Sequence, residues 1–108
     1  MRDGDPILNR VPSIFYDAQQ VLIERGKDYG GHLVDDYMPF GLASYVQMVH
    51  LKACRLVSGV KRGLLPHQLA DSAIDLVNYA AFLAAYIDER VQSELRDEIE
   101  RIDEETPF

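Results

Sequence analysis

The stretch DSAIDLVNYAAFLAAY, residues 71–86, decides the fold of this 108-residue chain. Its five alanines favour a helix, and neither glycine nor proline interrupts it. Residues three or four positions apart share one face of a helix. One edge of the predicted helix therefore carries two carboxylates, an amide and three aromatic rings, from Asp71, Asp75, Asn78, Tyr79, Phe82 and Tyr86. We expect this polar edge to face another part of the protein rather than bulk water.

The opposite edge of the same stretch is apolar and predicts a core stripe made of Ile74, Val77, Ala80, Ala81, Ala84 and Ile87. Apolar residues continue at spacings of three and four as far as Ile102, with no glycine or proline before Pro107. This pattern predicts a helix that runs unbroken to about Glu104 or bends near Arg90. A chain this short cannot cover so long a stripe, so we expect a homo-oligomer with a coiled-coil or bundle contact.

Two further helices are predicted upstream. The first begins near Pro12 and ends at Gly26, after a loosely ordered segment 1–11. The second covers about residues 39–58 and is ended by Gly59. Its apolar positions predict a core face of Leu42, Tyr45, Val46, Val49, Ala53 and Leu56.

The whole chain, residues 1–108, is therefore predicted to be one all-α domain, a helical bundle of three to four helices with a long C-terminal helix. The net charge of −7 argues against general nucleic-acid binding. Most of that charge lies in the acidic helical tail, residues 88–106. No apolar run is long enough to span a membrane or to act as a signal peptide, so we expect a cytoplasmic protein. The single cysteine, Cys54, is predicted to be a buried thiol.

A glycine-rich segment, GKDYGGHLVDDYMPFG, joins the first two predicted helices over residues 26–41. Long loops of this kind are often functional, and paired glycines let the backbone approach a ligand closely. Lys27, Tyr29 and Gly30 are its candidate ligand-binding residues. A solvated turn that only reverses the chain explains the same segment.

Two cations on the second helix are the other candidates for binding. Lys52 and Arg55 lie one turn apart at the margin of the apolar face. Because a buried cation needs a partner, each must meet an anion. The candidates are Asp71 and Asp75 on the third helix, which would make a structural ion-pair network, or a phosphate group of a ligand.

The order of these motifs resembles a known family. It is RGKDYGG at residues 25–31, HLKACRL at 50–56 and DSAIDLVNYAAFL at 71–83. Together they resemble small phage-encoded proteins of the MazG-like, all-α nucleoside triphosphate pyrophosphatase type, also called phosphoribosyl-ATP pyrophosphohydrolase-like. The resemblance covers about residues 14–88 and implies a host-cytoplasmic protein related to nucleotide pyrophosphohydrolases.

In MazG-like enzymes, two facing helices supply a Glu-x-x-Glu pair and a Glu-x-x-Asp pair that bind magnesium. Only Asp75 matches the last of these carboxylates, and Asp71 is displaced by one residue. Lys52 and Arg55 stand where the first pair belongs, so the four-carboxylate cage cannot form. We therefore predict no metal site. The three histidines and the one cysteine also lack the spacing of zinc ligands.

Three functions remain open from the sequence. In the first, Lys52 and Arg55 bind the phosphate of a nucleotide or related phosphorylated small molecule. Its base or ribose is contacted by Asp75, Asn78 and Tyr79, and the loop at residues 26–31 closes over it. In the second, the protein is a non-catalytic scaffold that captures a host or phage protein. In the third, it is a pyrophosphohydrolase in which Asp71 and Asp75 are catalytic and recruit magnesium with Asp36.

Overall fold

The computed structural model describes residues 4–29 and 38–105 of the chain, and the side chains of residues 4–26 and 38–104. These residues form helices without any strand, which confirms the predicted all-α helical bundle with a long C-terminal helix. None of the described helices is long and apolar enough to cross a membrane. The helices, in chain order, are α1 (Pro6–Tyr29), α2 (Leu42–Lys61) and α3 (Pro66–Glu105).

Helix α1 is longer at both ends than the sequence predicts. Asp5 caps it, because its Oδ1 accepts hydrogen bonds from the backbone N–H of Ile7 at 3.0 Å and of Leu8 at 3.1 Å. The prediction of a loosely ordered segment up to residue 11 is therefore wrong from Pro6 onward. The predicted end at Gly26 is also wrong, since this glycine does not adopt the positive φ that a helix-ending glycine uses.

A glycine does end α2, but it is Gly63 rather than the predicted Gly59. Gly63 has φ 79°, and its N–H donates to the Val60 carbonyl at 3.0 Å. The N–H of Leu64 donates to the Gly59 carbonyl at 3.0 Å, which completes a Schellman motif. Gly59 is instead buried inside the helix. An added Cβ there would meet the Leu69 side chain at 2.6 Å and that of Leu64 at 3.2 Å.

Helix α3 is a single element of 40 residues, so the unbroken alternative is confirmed and the acidic tail is helical through Glu105. Pro66 occupies its first position, where a missing N–H costs nothing. The side chain of Gln68 accepts a hydrogen bond from the N–H of Leu65 at 2.8 Å and so caps the start. At 1.5 Å per residue the helix is about 60 Å long.

The core lies between α2 and α3. Met38, Tyr45 and Tyr79 are buried there. The rings of Tyr45 and Tyr86 stack at 4.7 Å, and those of Tyr79 and Phe82 meet edge to face at 5.4 Å. Helix α1 packs on α3 over a shorter stretch. The remaining core contacts come from partly buried side chains, namely Met48, Val49, Phe82, Leu83 and Tyr86.

This core confirms one predicted face of α3 and corrects the other. The edge with Asn78, Tyr79 and Tyr86 faces the other helices, as expected. The predicted core stripe is wrong: Ile74 and Val77 are half-buried, while Ala80, Ala81, Ala84 and Ile87 are exposed. The predicted face of α2 is wrong at Leu42 and Val46, which are also exposed. Aromatic rings fill the space between these helices, and small alanines cannot do so.

We expect two helical glycines to respond differently to alanine. Relative to Gly26→Ala, Gly59→Ala should lower the free energy of unfolding by about 1–2 kcal/mol, because the Leu69 side chain, 2.6 Å from the new methyl group, must shift. Gly26→Ala should raise it by about 0.5–1 kcal/mol, because no atom lies within 4 Å of the new methyl group. Urea unfolding at one protein concentration measures both. Equal responses would contradict this account of Gly59.

We also expect the unfolding free energy to depend on pH through Tyr45. Burial, and then the nearby Tyr86 hydroxyl, raise the pKa of Tyr45 above the ordinary value of 10.0. The unfolded state therefore loses this proton first, so stability is complete below pH 10.0 and falls as the pH rises through the folded-state pKa. Tyr45→Phe should make the decline shallower. Unfolding curves at several alkaline pH values test this, and an unchanged slope would refute it.

Candidate functional site

The three helices meet at the carboxylate of Asp75, near the middle of the molecule. Its Oδ1 accepts a hydrogen bond from Arg25 Nη1 on α1 at 2.6 Å. Its Oδ2 accepts one from Lys52 Nζ on α2 at 3.4 Å. The Asp75 side chain retains 16% of its accessible surface and the Arg25 side chain 46%. This Arg25–Asp75–Lys52 cluster is therefore closed on the α2 side and open to solvent on the α1 side.

Lys52 is the buried member of the cluster, with only 8% of its surface exposed. Its ammonium group lies 5.0 Å from the centre of the Tyr79 ring, within the range of a cation–π contact. An ammonium has three N–H donors, and one hydrogen bond, to Asp75, is formed within the described part of the chain. Of the two aspartates considered as partners for Lys52, the structure brings Asp75 into contact with it.

Asn78 ties α3 to α1. Its Nδ2 donates to the backbone carbonyl of Ala18 at 3.0 Å, and both residues are buried. This contact lies beside the Asp75 cluster, one turn farther along α3. Because its amide donor already serves helix packing, the position of Asn78 does not favour the predicted contact with a base or ribose. Tyr79 and Asp75 are predicted for the same role. Tyr79 lies in the core with its ring against Phe82 and Lys52, and both carboxylate oxygens of Asp75 bind cations.

The other predicted partners do not join the cluster. Arg55 and Asp71 are exposed, and neither forms a salt bridge with any side chain among residues 4–26 and 38–104. The predicted pairing of Lys52 and Arg55 with both aspartates is therefore wrong for Arg55 and Asp71. Lys27 and Tyr29 lie in the last turn of α1, but their side chains, like the whole of Gly30 and Asp36, fall outside the described part.

Arg25 is the cluster member that the sequence analysis missed. It follows Ala18 and Leu22 at spacings of four and three, so these residues share one face of α1. Ala18 is buried on that face by the contact with α3. The sequence therefore contained a signal for this contact. Arg25 continues the inward face of α1, and a basic residue in such a position predicts an acidic partner.

Outside the cluster, two residues of α2 lie close together. His50 Nε2 lies 3.4 Å from Cys54 Sγ on the outer face of α2, and the thiol is exposed rather than buried as predicted. No three histidine, cysteine, aspartate or glutamate side chains come together as a metal-binding group within the described ranges. An apolar groove of about 490 Å³ separates α1 from α3 and is lined by Phe15, Ala18, Leu22, Val77 and Ala81, among others.

Comparison with family models, with curated proteins and with solved structures gave no match to this chain. The likeness to MazG-like proteins therefore stays a prediction from the sequence motifs. The cluster offers the buried ammonium of Lys52, the more exposed guanidinium of Arg25, and the Asp75 carboxylate that orients both. Such a cluster suits the binding of an anion, because lysine and arginine side chains bind phosphate without a metal.

We expect the Lys52–Asp75 contact to contribute to stability. Asp75→Asn should lower the free energy of unfolding by about 2 kcal/mol, because it leaves the buried Lys52 ammonium without its counter-charge. Lys52→Met should lower it by less, because Asp75 keeps its 2.6 Å contact with Arg25. The double variant should lose less than the sum of the two. Urea unfolding of the four proteins gives the coupling energy.

The exposed pair Arg96–Glu89, at 3.3 Å, is the matched control for this cycle. Its side chains keep 61% and 71% of their accessible surface, so its coupling energy should stay below about 0.5 kcal/mol. A Lys52–Asp75 coupling no larger than that of the control pair would show that the cluster does not hold the helices together.

Proposed function

We propose that this chain binds a nucleotide or a related phosphorylated small molecule at the Arg25–Asp75–Lys52 cluster, as a homo-oligomeric, MazG-like helical bundle. One observation carries the proposal. Lys52 is held almost fully buried, yet a single 3.4 Å contact to Asp75 is its only hydrogen bond in the described part of the chain. A buried ammonium that keeps unused donors is ready to bind a strong acceptor such as a phosphate oxygen.

The three side chains of the cluster have different roles in the proposed binding. Asp75 fixes the position of the Lys52 ammonium, and the Tyr79 ring supports it from the other side. Arg25, at the more exposed edge, offers a planar group that can bind two phosphate oxygens at once. The nucleotide class of the ligand comes from the sequence resemblance, whereas the affinity for phosphate comes from the two cations.

Catalysis is not part of the proposed function. Each oxygen of Asp75 already accepts a hydrogen bond from a cation, and Asp71 is exposed outside the cluster. Two cations already neutralise Asp75, which disfavours magnesium binding there. Lysine and arginine side chains bind phosphate without a metal.

A non-catalytic interaction protein is the second candidate function. The observation that favours it is the number of large apolar side chains that stay exposed on all three helices, such as Phe15, Val57 and Ile99. Exposed apolar surface of this extent is typical of proteins that associate with another chain.

A thermal-shift titration in EDTA tests the ligand proposal, with inorganic pyrophosphate and nucleoside mono-, di- and triphosphates as probes. We expect at least one probe to stabilise the protein, by about 2.7 kcal/mol at a hundred times its dissociation constant. Arg25→Gln should weaken that response at least tenfold. Its removal leaves the buried members of the cluster in place, so the variant should still fold.

Lys61→Gln is the matched control, because it removes a cation at the exposed end of α2, outside the cluster. This variant should respond to the probes like the natural protein. No response of the natural protein to any phosphate probe would overturn the proposed function. Equal responses of Arg25→Gln and Lys61→Gln would place the ligand elsewhere.

A further inference from the structure

The surface of a single chain is too large for a folded protein of its mass. Its accessible area is 8501 Å². A folded monomer of 12.3 kDa exposes about 6,100 Å². The excess of about 2,400 Å² per chain corresponds to about 4,800 Å² for a pair of chains, near the upper end of the roughly 2,000–5,000 Å² that obligate homodimer interfaces bury in total. One further contact with a chain of similar size would remove the excess.

Part of the uncovered apolar surface forms one continuous stripe along α3. The α3 stripe lies on the face opposite Tyr79 and Tyr86, which pack against α2. It extends over about 42 Å at the normal helical rise. Its members are partly or fully exposed, namely Ile74, Val77, Ala80, Ala81, Ala84, Ile87, Val91, Leu95, Ile99 and Ile102.

The α3 stripe changes in side-chain size along its length. Its first half is dominated by alanine, from Ala80 to Ala84, and its second half holds only large side chains, from Ile87 to Ile102. Two parallel copies would place large residues against large ones and leave space between the alanines. Two antiparallel copies place the large half of each against the small half of the other, which is how packed helices fill space.

The charge distribution selects the same orientation. Residues 88–105 carry nine carboxylates and three arginines. The opposite end of the molecule is basic and exposed, with Lys61 and Arg62 where α2 leads into α3. Parallel copies would bring two acidic tails together, whereas antiparallel copies bring each acidic tail toward the basic end of the partner.

We propose that the α3 stripe is the interface of an antiparallel homodimer. When the two ends of the α3 stripe are aligned, Leu95 and Ile99 of each copy lie against Ala81 and Val77 of the other. The groove of about 490 Å³ between α1 and α3 includes Val77 and Ala81 in its lining, and the partner's tail fills it. The exposed Phe15 on α1 then gains an apolar neighbour. This interface rests on surface area, shape and charge, so it is independent of the proposed ligand.

Sedimentation equilibrium measures the assembly directly. We expect twice the 12.3 kDa mass of one chain at micromolar concentration. Leu95→Glu with Ile99→Glu should raise the dissociation constant at least 100-fold. Arg96→Gln, which makes the same tail more negative at a position off the stripe, should change it less than threefold. A monomer at micromolar concentration, or a dimer that the stripe variant leaves intact, would overturn the proposal.

Disulfide trapping measures the orientation. In a Cys54→Ser background, Ala81→Cys and Leu95→Cys chains are oxidised separately and then as a mixture, with one chain tagged. An antiparallel dimer should give at least tenfold more covalent dimer in the mixture than in either chain alone. Efficient cross-linking of each variant with itself would require a parallel pair and would refute the antiparallel interface.

Discussion

The carboxylate of Asp75 is the contact on which the arrangement of the three helices depends. It binds Arg25 of α1 through one oxygen and Lys52 of α2 through the other. Helices α2 and α3 also share an aromatic core, but α1 has few apolar contacts with the rest of the chain. The cluster and the neighbouring hydrogen bond from Asn78 to Ala18 therefore set where α1 lies. The same contact that orients α1 also holds the buried ammonium that we propose as a phosphate ligand.

A cluster of this kind can be structural or functional, and its energetics suit both. Burying an ion pair gains little over an apolar packing of similar volume, whereas breaking it is costly. Asp75 binds Arg25 more closely than Lys52, since the two contacts measure 2.6 Å and 3.4 Å. The less tightly bound cation is also the more deeply buried one. This combination is what favours a role in ligand binding over packing alone.

Much of the fold could be predicted from periodicity, but the identity of the buried face could not. The alanine-rich stretch of α3 indicated a helix, and the spacing of Asp75, Asn78 and Tyr79 indicated an edge that avoids water. The hydrophobic pattern then assigned the alanine edge to the core. Hydrophobicity scales do not register that Tyr45, Tyr79 and Tyr86 carry more apolar surface than alanine and can fill the gap between two helices. Arg25 was missed for a different reason. Its partner Asp75 lies 50 residues away in sequence, and the periodicity of one helix says nothing about contacts that distant.

The helix ends show a second limit. Gly26, Gly59 and Gly63 look alike in sequence, but only Gly63 adopts the positive φ that ends a helix. Gly59 is closely approached by the side chain of Leu69, a contact between two helices that no local pattern contains. In the proposed homodimer a partner chain covers the exposed stripe of α3, so that proposal couples folding to association.

The position of the Lys52 ammonium can be followed directly by NMR, because the chain contains only three lysines. The ¹⁵Nζ signals would be recorded while inorganic pyrophosphate is added in EDTA. The account predicts that the Lys52 signal shifts and saturates, while the signal of Lys61 changes little. A Lys52 signal that stays constant while the other lysines move would contradict the central claim that this buried cation binds phosphate.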